Sequence, residues 1–427
     1  MGVNEEKLAS LDAEAGGAGS GLGTPPASAE GASRLDRWLA RKLLDVVGDP
    51  PFAIHLWDGS IVEPDEGKAR FGLRIHDRAA LWKVMLDPEL HFGRLYSAGR
   101  IEVDGELVQF LEWSYRGLRD AGDSGAAVRL LKWINKRPRR NTLSGSRHNI
   151  HHHYDIGNDF YALWLDTEAM QYTCAYYPEP EMSLEEAQVA KLHHVCRKLQ
   201  LQPGDTVVEA GCGWGGLARF MARHYGVTVK AYNISHEQVK FARQKAEEEG
   251  LADRVEYIED DYRNITGIYD VFVSVGMLEH VGPKYYRELG DVIHRCLKSE
   301  GRGLIHTIGR RRPGLMNAWI EKHIFPGACP PSLGEMMDIF EPHEFAVQDV
   351  ENLRLHYAKT LRHWLERYEA NLDTIRESFD ENFIRAWRLY LAGSIAAFTT
   401  NELQLYQVMF TGPERHELPW SRRHLYE

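Results

Sequence analysis

Cysteine is scarce in this chain, and none of it is arranged for a zinc site or a disulfide framework. The five cysteines, at 174, 196, 212, 296 and 329, are odd in number, widely spaced, and form no C-x-x-C pair. They read as reduced thiols, which fits a cytoplasmic protein. No apolar run is long enough to span a bilayer, and no leader-like segment stands near the start. A lipid substrate would therefore have to be met at a membrane surface, with the protein bound peripherally. Positive charge is not in excess: 51 basic against 62 acidic residues leave a net charge of −11, which argues against a general nucleic-acid partner. Residues 1 to 34 contain no aromatic residue and are rich in Gly, Ala, Ser and Pro. They cannot bury enough apolar surface to offset ordering entropy, and a disordered tail is expected there.

What remains is ordinary for a large globular protein, with 43% hydrophobic and 26% charged residues. A small α+β domain is expected over 35 to 122. Its marks are an amphipathic helix over 35–47, a hairpin over 52–62 turning at Asp58-Gly59, a strand over 71–75, a helix capped by Asp77, and another helix over 106–118. Residues 123 to 147 read as a linker. Within it Arg129, Lys132, Lys136, Arg137, Arg139 and Arg140 interleave with Leu130, Leu131, Trp133 and Ile134. That composition suits an anionic membrane surface or, equally, a solvated charge run.

The catalytic region is expected from 148 to 427. It opens on a histidine-rich stretch whose His151, His152 and His153 are consecutive. Three successive residues cannot all face one ion, so no metal site is assigned and a lid segment fits better. Ser183 and Glu186 form a capping box for a helix reaching Leu199. Strands then alternate with helices: 206–210, 227–232, 255–258, 269–274 and 303–308, with late strands over 345–350 and 403–410. Ser235 with Gln238 is expected to cap a helix to about Gly250. Pro283 opens another, and long helices are expected over 359–372 and 373–400. The alternation predicts an α/β fold, a doubly wound Rossmann-like sheet, whose ligands bind at the carboxyl ends of the strands.

The strand over 206–210 runs into Glu209-Ala-Gly-Cys-Gly-Trp-Gly215. Glycines there allow φ > 0 and close approach of a ligand to backbone N–H groups at a helix start. The E-x-G-x-G-x-G spacing resembles motif I of the class I methyltransferases, which bind S-adenosylmethionine (SAM); a dinucleotide turn or a bare turn opens much the same way. Four further pieces fall at strand ends or in loops: Gln171-Tyr-Thr-Cys-Ala-Tyr176, Ser274-Val-Gly-Met-Leu-Glu-His-Val-Gly282, Ile305-His-Thr-Ile-Gly309 and His356-Tyr-Ala-Lys-Thr-Leu361. In combination, from about His153 to Phe410, they resemble the cyclopropane-fatty-acyl-phospholipid synthases and the related mycolic acid cyclopropane synthases. The small N-terminal domain fits the bacterial phospholipid enzymes, in which it binds lipid.

That resemblance implies a reaction. The cis alkene of a phospholipid acyl chain attacks the methyl of SAM, the resulting carbocation loses a proton, and a ring closes. A bound bicarbonate ion is implied as the base, with ligands carried over onto Cys174, Glu279, His306, Ile308 and Tyr357. Cys174 and Ile308 would act through backbone N–H groups. SAM contacts carry over onto Tyr172, Thr173, Glu209, Gly211, Gly213, Gly215, Asn233, Gln238, Asp260 and Asp261. The second strand ends in Asn233 rather than an acid, which counts against a dinucleotide. Each residue also has a plain structural alternative: Cys174 as a small buried hydrophobe, Glu279 as a helix cap, His306 as a core histidine, Tyr357 as packing. Trp319, Phe325, Phe340, Tyr390 and Phe398 are candidates to line an acyl channel, and Arg310-Arg-Arg312 to meet lipid phosphates. Three other functions are compatible: methylation or methylenation of the alkene without ring closure, a non-catalytic lipid-binding protein, and a small-molecule methyltransferase. A homodimer is expected from the resemblance.

Overall fold

A computed structural model describes residues 31–65, 67, 69–120 and 156–426. The basic run and the histidine stretch up to residue 155 lie outside the described residues. In the N-terminal unit, β1 (Phe52–His55), β2 (Ile61–Val62), β3 (Phe71–Ile75) and β4 (Ile101–Asp104) form a sheet in the order β2-β1-β3-β4. β1 and β2 are the expected hairpin, and Gly59 takes the left-handed φ of +83° that its turn requires. Helices Arg34–Val46, Arg78–Leu86, Pro88–Ser97 and Leu107–Asp120 accompany the sheet. The helix Pro88–Ser97 and strand β4 are absent from the sequence reading. Asp87 both ends one helix and caps the next, its side chain accepting from Leu90 N with Pro88 as the first helical residue. The Asp-Pro pair is a hand-over between helices.

The larger sheet holds β5 (Thr206–Ala210), β6 (Thr228–Asn233), β7 (Val255–Glu259), β8 (Tyr269–Val275), β9 (Leu297–Arg310), β10 (Ala346–Asn352) and β11 (Leu403–Thr411). Their order is β10-β11-β9-β8-β5-β6-β7. β5 to β9 run parallel, whereas β11 is antiparallel to both of its neighbours, so the sheet is mixed at one end. Buried on both faces, β5 and β8 are nearly continuous apolar runs. Val207 faces a core with helices Leu184–Lys198, Gly216–Tyr225 and His236–Glu248. Val208 faces the opposite core with Tyr286–Cys296 and Leu333–Phe340. The architecture is a doubly wound Rossmann-like sheet.

A third core joins the N-terminal unit to helix Ala318–His323 and the helices after β10. Phe52, Leu81 and Phe110 share it with Trp319, Trp364 and Tyr390. Helix Glu381–Thr399 is the seam: Arg385 donates to Tyr96 O (2.6 Å) and Ile101 O (3.1 Å), and Thr399 Oγ1 to Glu112 Oε1 (2.7 Å). Gly93 has no Cβ where the Trp319 indole lies, 2.3 Å from the position a Cβ would take. The expected helix over 373–400 is two, Leu372–Arg376 and Glu381–Thr399, because Asp380 caps the second. The one expected over 359–372 begins earlier, at Arg354, and so carries Tyr357. The stretch over 309–337 holds helix Ala318–His323 and the start of Leu333–Phe340, which has its own Ser332/Glu335 capping box.

Candidate active site

At the carboxyl end of β5 the chain turns through Gly211, Gly213 and Gly215, with φ of +84°, +53° and +75°. A Cβ on Gly211 would lie 2.8 Å from Met277 Cβ, and one on Gly215 2.5 Å from the Tyr257 ring. Nothing lies within 4 Å of a Cβ on Gly213. Two glycines are thus walled by protein, and the middle one faces open space where a ligand could approach the backbone. Asn233, at the end of β6, donates to Gly213 O (3.2 Å) and Gln238 Oε1 (2.9 Å). Gln238 is spent on that bond, and Ser235 makes no side-chain cap; the expected capping pair is not formed. Asp260 N donates to Asn233 O (3.1 Å), bringing the ends of β6 and β7 together. Asp261 is held by Arg263 and caps the turn Tyr262–Asn264, so its carboxylate is engaged locally, while Asp260 is the more exposed of the two.

Behind this turn lies a buried polar group that the sequence reading missed. Lys191 is fully buried, and Nζ donates to Gln171 Oε1 and to Thr173 Oγ1 (3.0 Å). Gln188, three residues earlier, donates to Thr173 O (2.9 Å). Together they fix the backbone on both sides of Tyr172, whose hydroxyl meets that of Tyr390 at 2.8 Å. Burial pulls the Lys191 ammonium down to about 8 and pushes the Glu209 carboxyl up to about 8, with Lys191 and Arg219 opposing that rise. One signal was available: Gln188 and Lys191 fall on the apolar stripe of Leu184, Ala187, Leu192 and Val195, where a lysine needs a partner.

The second cluster lies past β8. Glu279, in the turn Leu278–His280, is 7% exposed. Its Oε1 accepts from Ile308 N at 2.6 Å, and its buried Oε2 has no hydrogen-bond partner. Burial pushes this carboxyl up to about 7, the Ile308 N–H opposing. His306, two residues before Ile308 on β9, pairs through Nδ1 with the Gln407 amide of β11 at 3.1 Å. With the amide nitrogen as donor, Nδ1 accepts and the ring proton sits on Nε2, which is buried without a partner. Burial holds this imidazole well below its ordinary value, hence neutral.

Cys174 is fully buried, its Sγ–H donating to Ala175 O (3.1 Å), and burial raises the thiol well above its ordinary value. That is not the setting of a thiolate nucleophile. Cys174 Sγ also lies 3.8 Å from Leu353 O, the carbonyl that accepts from Tyr357 N. Leu353 N in turn donates to Leu405 O, and Leu405 pairs with Ile308 in the sheet. The structure therefore joins Glu279 to Ile308 directly, places His306 two residues along the same strand, and reaches Cys174 and Tyr357 through Leu353. The Ile308 N–H, expected to face an anion, is given to Glu279. Tyr357 packs on Phe398 (ring centroids 4.7 Å apart), and Phe325 on Tyr390 (5.4 Å). Phe340 packs with Phe410 in a separate core and is removed from the channel candidates.

The arrangement pairs an open glycine turn with a buried carboxyl near neutrality and, two residues along β9 from the N–H that answers it, a buried neutral imidazole. Glu279 Oε2 and His306 Nε2 are each buried without a hydrogen-bond partner, one able to share a proton and the other to donate one. The glycine turn suits a cofactor with a polar end.

A family model described as mycolic acid cyclopropane synthetase matches residues 142–408, and one described as DUF7884, a domain of unknown function, matches 39–120. A probable fatty acid methyltransferase of Pseudomonas putida is 35% identical over 391 residues, covering 88% of this chain and 96% of that one. The cyclopropane-fatty-acyl-phospholipid synthase of Escherichia coli K12 is 44% identical over 260 residues, 61% of this chain and 66% of that one. The crystal structure of mycolic acid cyclopropane synthase CmaA1 complexed with SAH and CTAB superposes with a TM-score of 0.59 at 30% identity. It covers 62% of this chain and 98% of that one.

Proposed function

This chain belongs to the mycolic acid cyclopropane synthetase family and is a SAM-dependent methyltransferase, and from that premise we propose that it builds a cyclopropane ring across the cis double bond of an unsaturated phospholipid acyl chain. The observation that carries the reading is the Glu279–Ile308–His306 cluster, buried, close to neutral, and with two orphaned polar atoms facing no protein partner. SAM would supply an electrophilic methyl group; the turn Gly211 to Gly215 with Asn233 and Asp260 would hold the cofactor beside Tyr172 and Thr173, with Gln238 bracing Asn233. Glu209 and Asp261 support that site from below and beside it. Bicarbonate supplies a base. Glu279 Oε2, His306 Nε2, the Tyr357 hydroxyl and the Cys174 N–H would hold it, with Ile308 aligning Glu279.

The protein's own contribution is position and dryness. Glu279, poised near 7, can hold or release a proton at Oε2 without a large energetic penalty. His306 donates from Nε2 while remaining neutral. Phe325, Tyr390, Tyr357 and Phe398 keep water from a cationic centre. Positioning of the alkene against the methyl supplies much of the rate.

The N-terminal unit is proposed to meet the lipid surface. Leu35, Trp38, Trp82 and Leu86 are exposed on helices Arg34–Val46 and Arg78–Leu86, with Lys42 and Lys83 beside them. Among the described residues no helix is long and apolar enough to cross a membrane. Self-association as a homodimer belongs to the same reading.

A second reading is a methyl- or methylene-branched product, favoured by the name of the Pseudomonas putida relative, which aligns over nearly its whole length. Methyl-labelled SAM offered with vesicles of cis-monounsaturated or fully saturated phospholipid tests the shared part. Label in the unsaturated acyl chains alone is expected; no label in either lipid contradicts both readings.

A further inference from the structure

Strand β9 continues past the reactive cluster. His306, Ile308 and Arg310 fall on one face by the strand's period of two. Arg310 lies four residues beyond His306, roughly 13 Å at about 3.3 Å per residue. Its backbone is pinned by donation to Pro331 O (2.7 Å), and the loop after it folds back over its side chain. Gly314 approaches so closely that a Cβ there would be 3.3 Å from Arg310 Nη1.

The Arg310 guanidinium is poorly answered by the protein. Nη2 lies 3.5 Å from Met316 Sδ, a weak acceptor, and Nε is buried without a hydrogen-bond partner. Among the described residues no carboxylate is within ion-pair distance of it. Glu402 is taken by Arg311 at 3.0 Å. Tyr115 and Glu89 of the N-terminal unit are near enough to act on its charge, so the group sits at the seam between the two units. A largely buried cation without an anionic partner is costly to keep, and an arginine fork is shaped for two phosphate or carboxylate oxygens.

We infer that Arg310 is the anion subsite for the phosphodiester of the lipid substrate, holding the headgroup end while the acyl chain reaches along β9 toward His306 and Glu279. This rests on the phospholipid reading above. The strand distance together with the reach of the arginine side chain is of the order of the span from a lipid's phosphodiester to a mid-chain alkene. Arg310 would thereby set both the preference for a phosphorylated lipid and the depth at which the double bond stops.

The test uses the full chain and a binding readout that does not need turnover. Calorimetry measures the affinity of a short-chain phosphatidylglycerol, kept monomeric, and of inorganic phosphate, for the wild type, Arg310→Met and Arg310→Lys. SAM affinity and thermal melting of each variant report folding. Arg310→Met is expected to weaken the phospholipid on the order of 10- to 100-fold, the range of a charge-assisted hydrogen bond, and Arg310→Lys by less. Inorganic phosphate should bind far more weakly than the lipid. If Arg310→Met does not fold, Arg310→Lys decides: undiminished phospholipid affinity overturns the subsite. Equal phospholipid affinity in wild type and Arg310→Met also overturns it, and so does phosphate binding as tight as the lipid's, which marks a free-anion site. Arg310-dependent lipid binding in a protein that forms no ring would uphold the subsite and refute the ring. In turnover, kcat/KM for phospholipid relative to the uncharged methyl ester of the unsaturated acid should fall at least tenfold in Arg310→Met; equal loss on both substrates would mark a merely structural role.

Discussion

Replacing Glu279 by Gln should separate activity from stability in opposite directions. The carboxyl lies near 7 in the folded chain against an ordinary 4.5, because it is buried and only one of its oxygens is answered. Between those values the folded state keeps a proton that the unfolded chain has lost. Stability therefore falls as pH rises from about 4.5 to 7, and the full cost persists above 7. The difference between 4.5 and about 7 corresponds to about 3 kcal/mol, as an upper figure. Gln retains an oxygen for the Ile308 N–H and carries no charge, so it escapes that cost. Glu279→Gln should thus match the wild type in melting temperature near pH 4.5 and exceed it by several degrees at pH 8. Glu209, raised to about 8, depresses both proteins alike and cancels in the comparison. In the labelled-methyl assay at pH 8, kcat should fall about 10²- to 10⁴-fold, the usual contribution of a positioned acid or base, while SAM affinity by calorimetry changes little. A melting difference independent of pH would refute the electrostatic argument. Equal losses of kcat and SAM affinity would place Glu279 against the cofactor instead.

Three further outcomes follow from the same geometry. Lys191→Met removes the donors to Gln171 and Thr173 and should weaken SAM binding about tenfold, the worth of a hydrogen bond from a charged group, as calorimetry would show. Gly213→Ala should cost only about 1–2 kcal/mol in denaturant unfolding, from its left-handed φ, yet abolish most SAM affinity; Gly215→Ala, driven into Tyr257, should lower stability by more. Gln407→Leu leaves His306 Nδ1 without its donor and should cut kcat about 10- to 100-fold with the SAM KM little moved, measured by steady-state kinetics.

The sheet was legible because its strands obey local rules. The apolar runs at 206–210 and 269–275, the glycine turn and the Ser183/Glu186 box each announce their structure within a dozen residues. Where two local rules compete, the sequence misleads. Asp87-Pro88 closes one helix and opens the next, a helix the sequence reading did not register; Ser235 and Gln238 read as a cap, but Gln238 turns to Asn233. The antiparallel setting of β11 depends on the long excursion before it and has no local mark. The site's chemical groups were nameable from motif order, but their pairing was not. That the Ile308 N–H serves Glu279, and that Gln407 sets the His306 tautomer, follow from the register of β9 and β11 and the turn after β8, elements up to a hundred residues apart. The reach of Lys191 to Thr173 is likewise a tertiary fact.

The measurement that bears most directly on ring formation is the carbon and proton NMR spectrum of the acyl product made from methyl-13C SAM and cis-monounsaturated phospholipid vesicles. The account predicts the label in a cyclopropane methylene, with its protons shifted far upfield. Label in a branched methyl or an exomethylene carbon would contradict ring closure while leaving SAM and lipid in place, and a lipid fraction free of label would contradict the account as a whole.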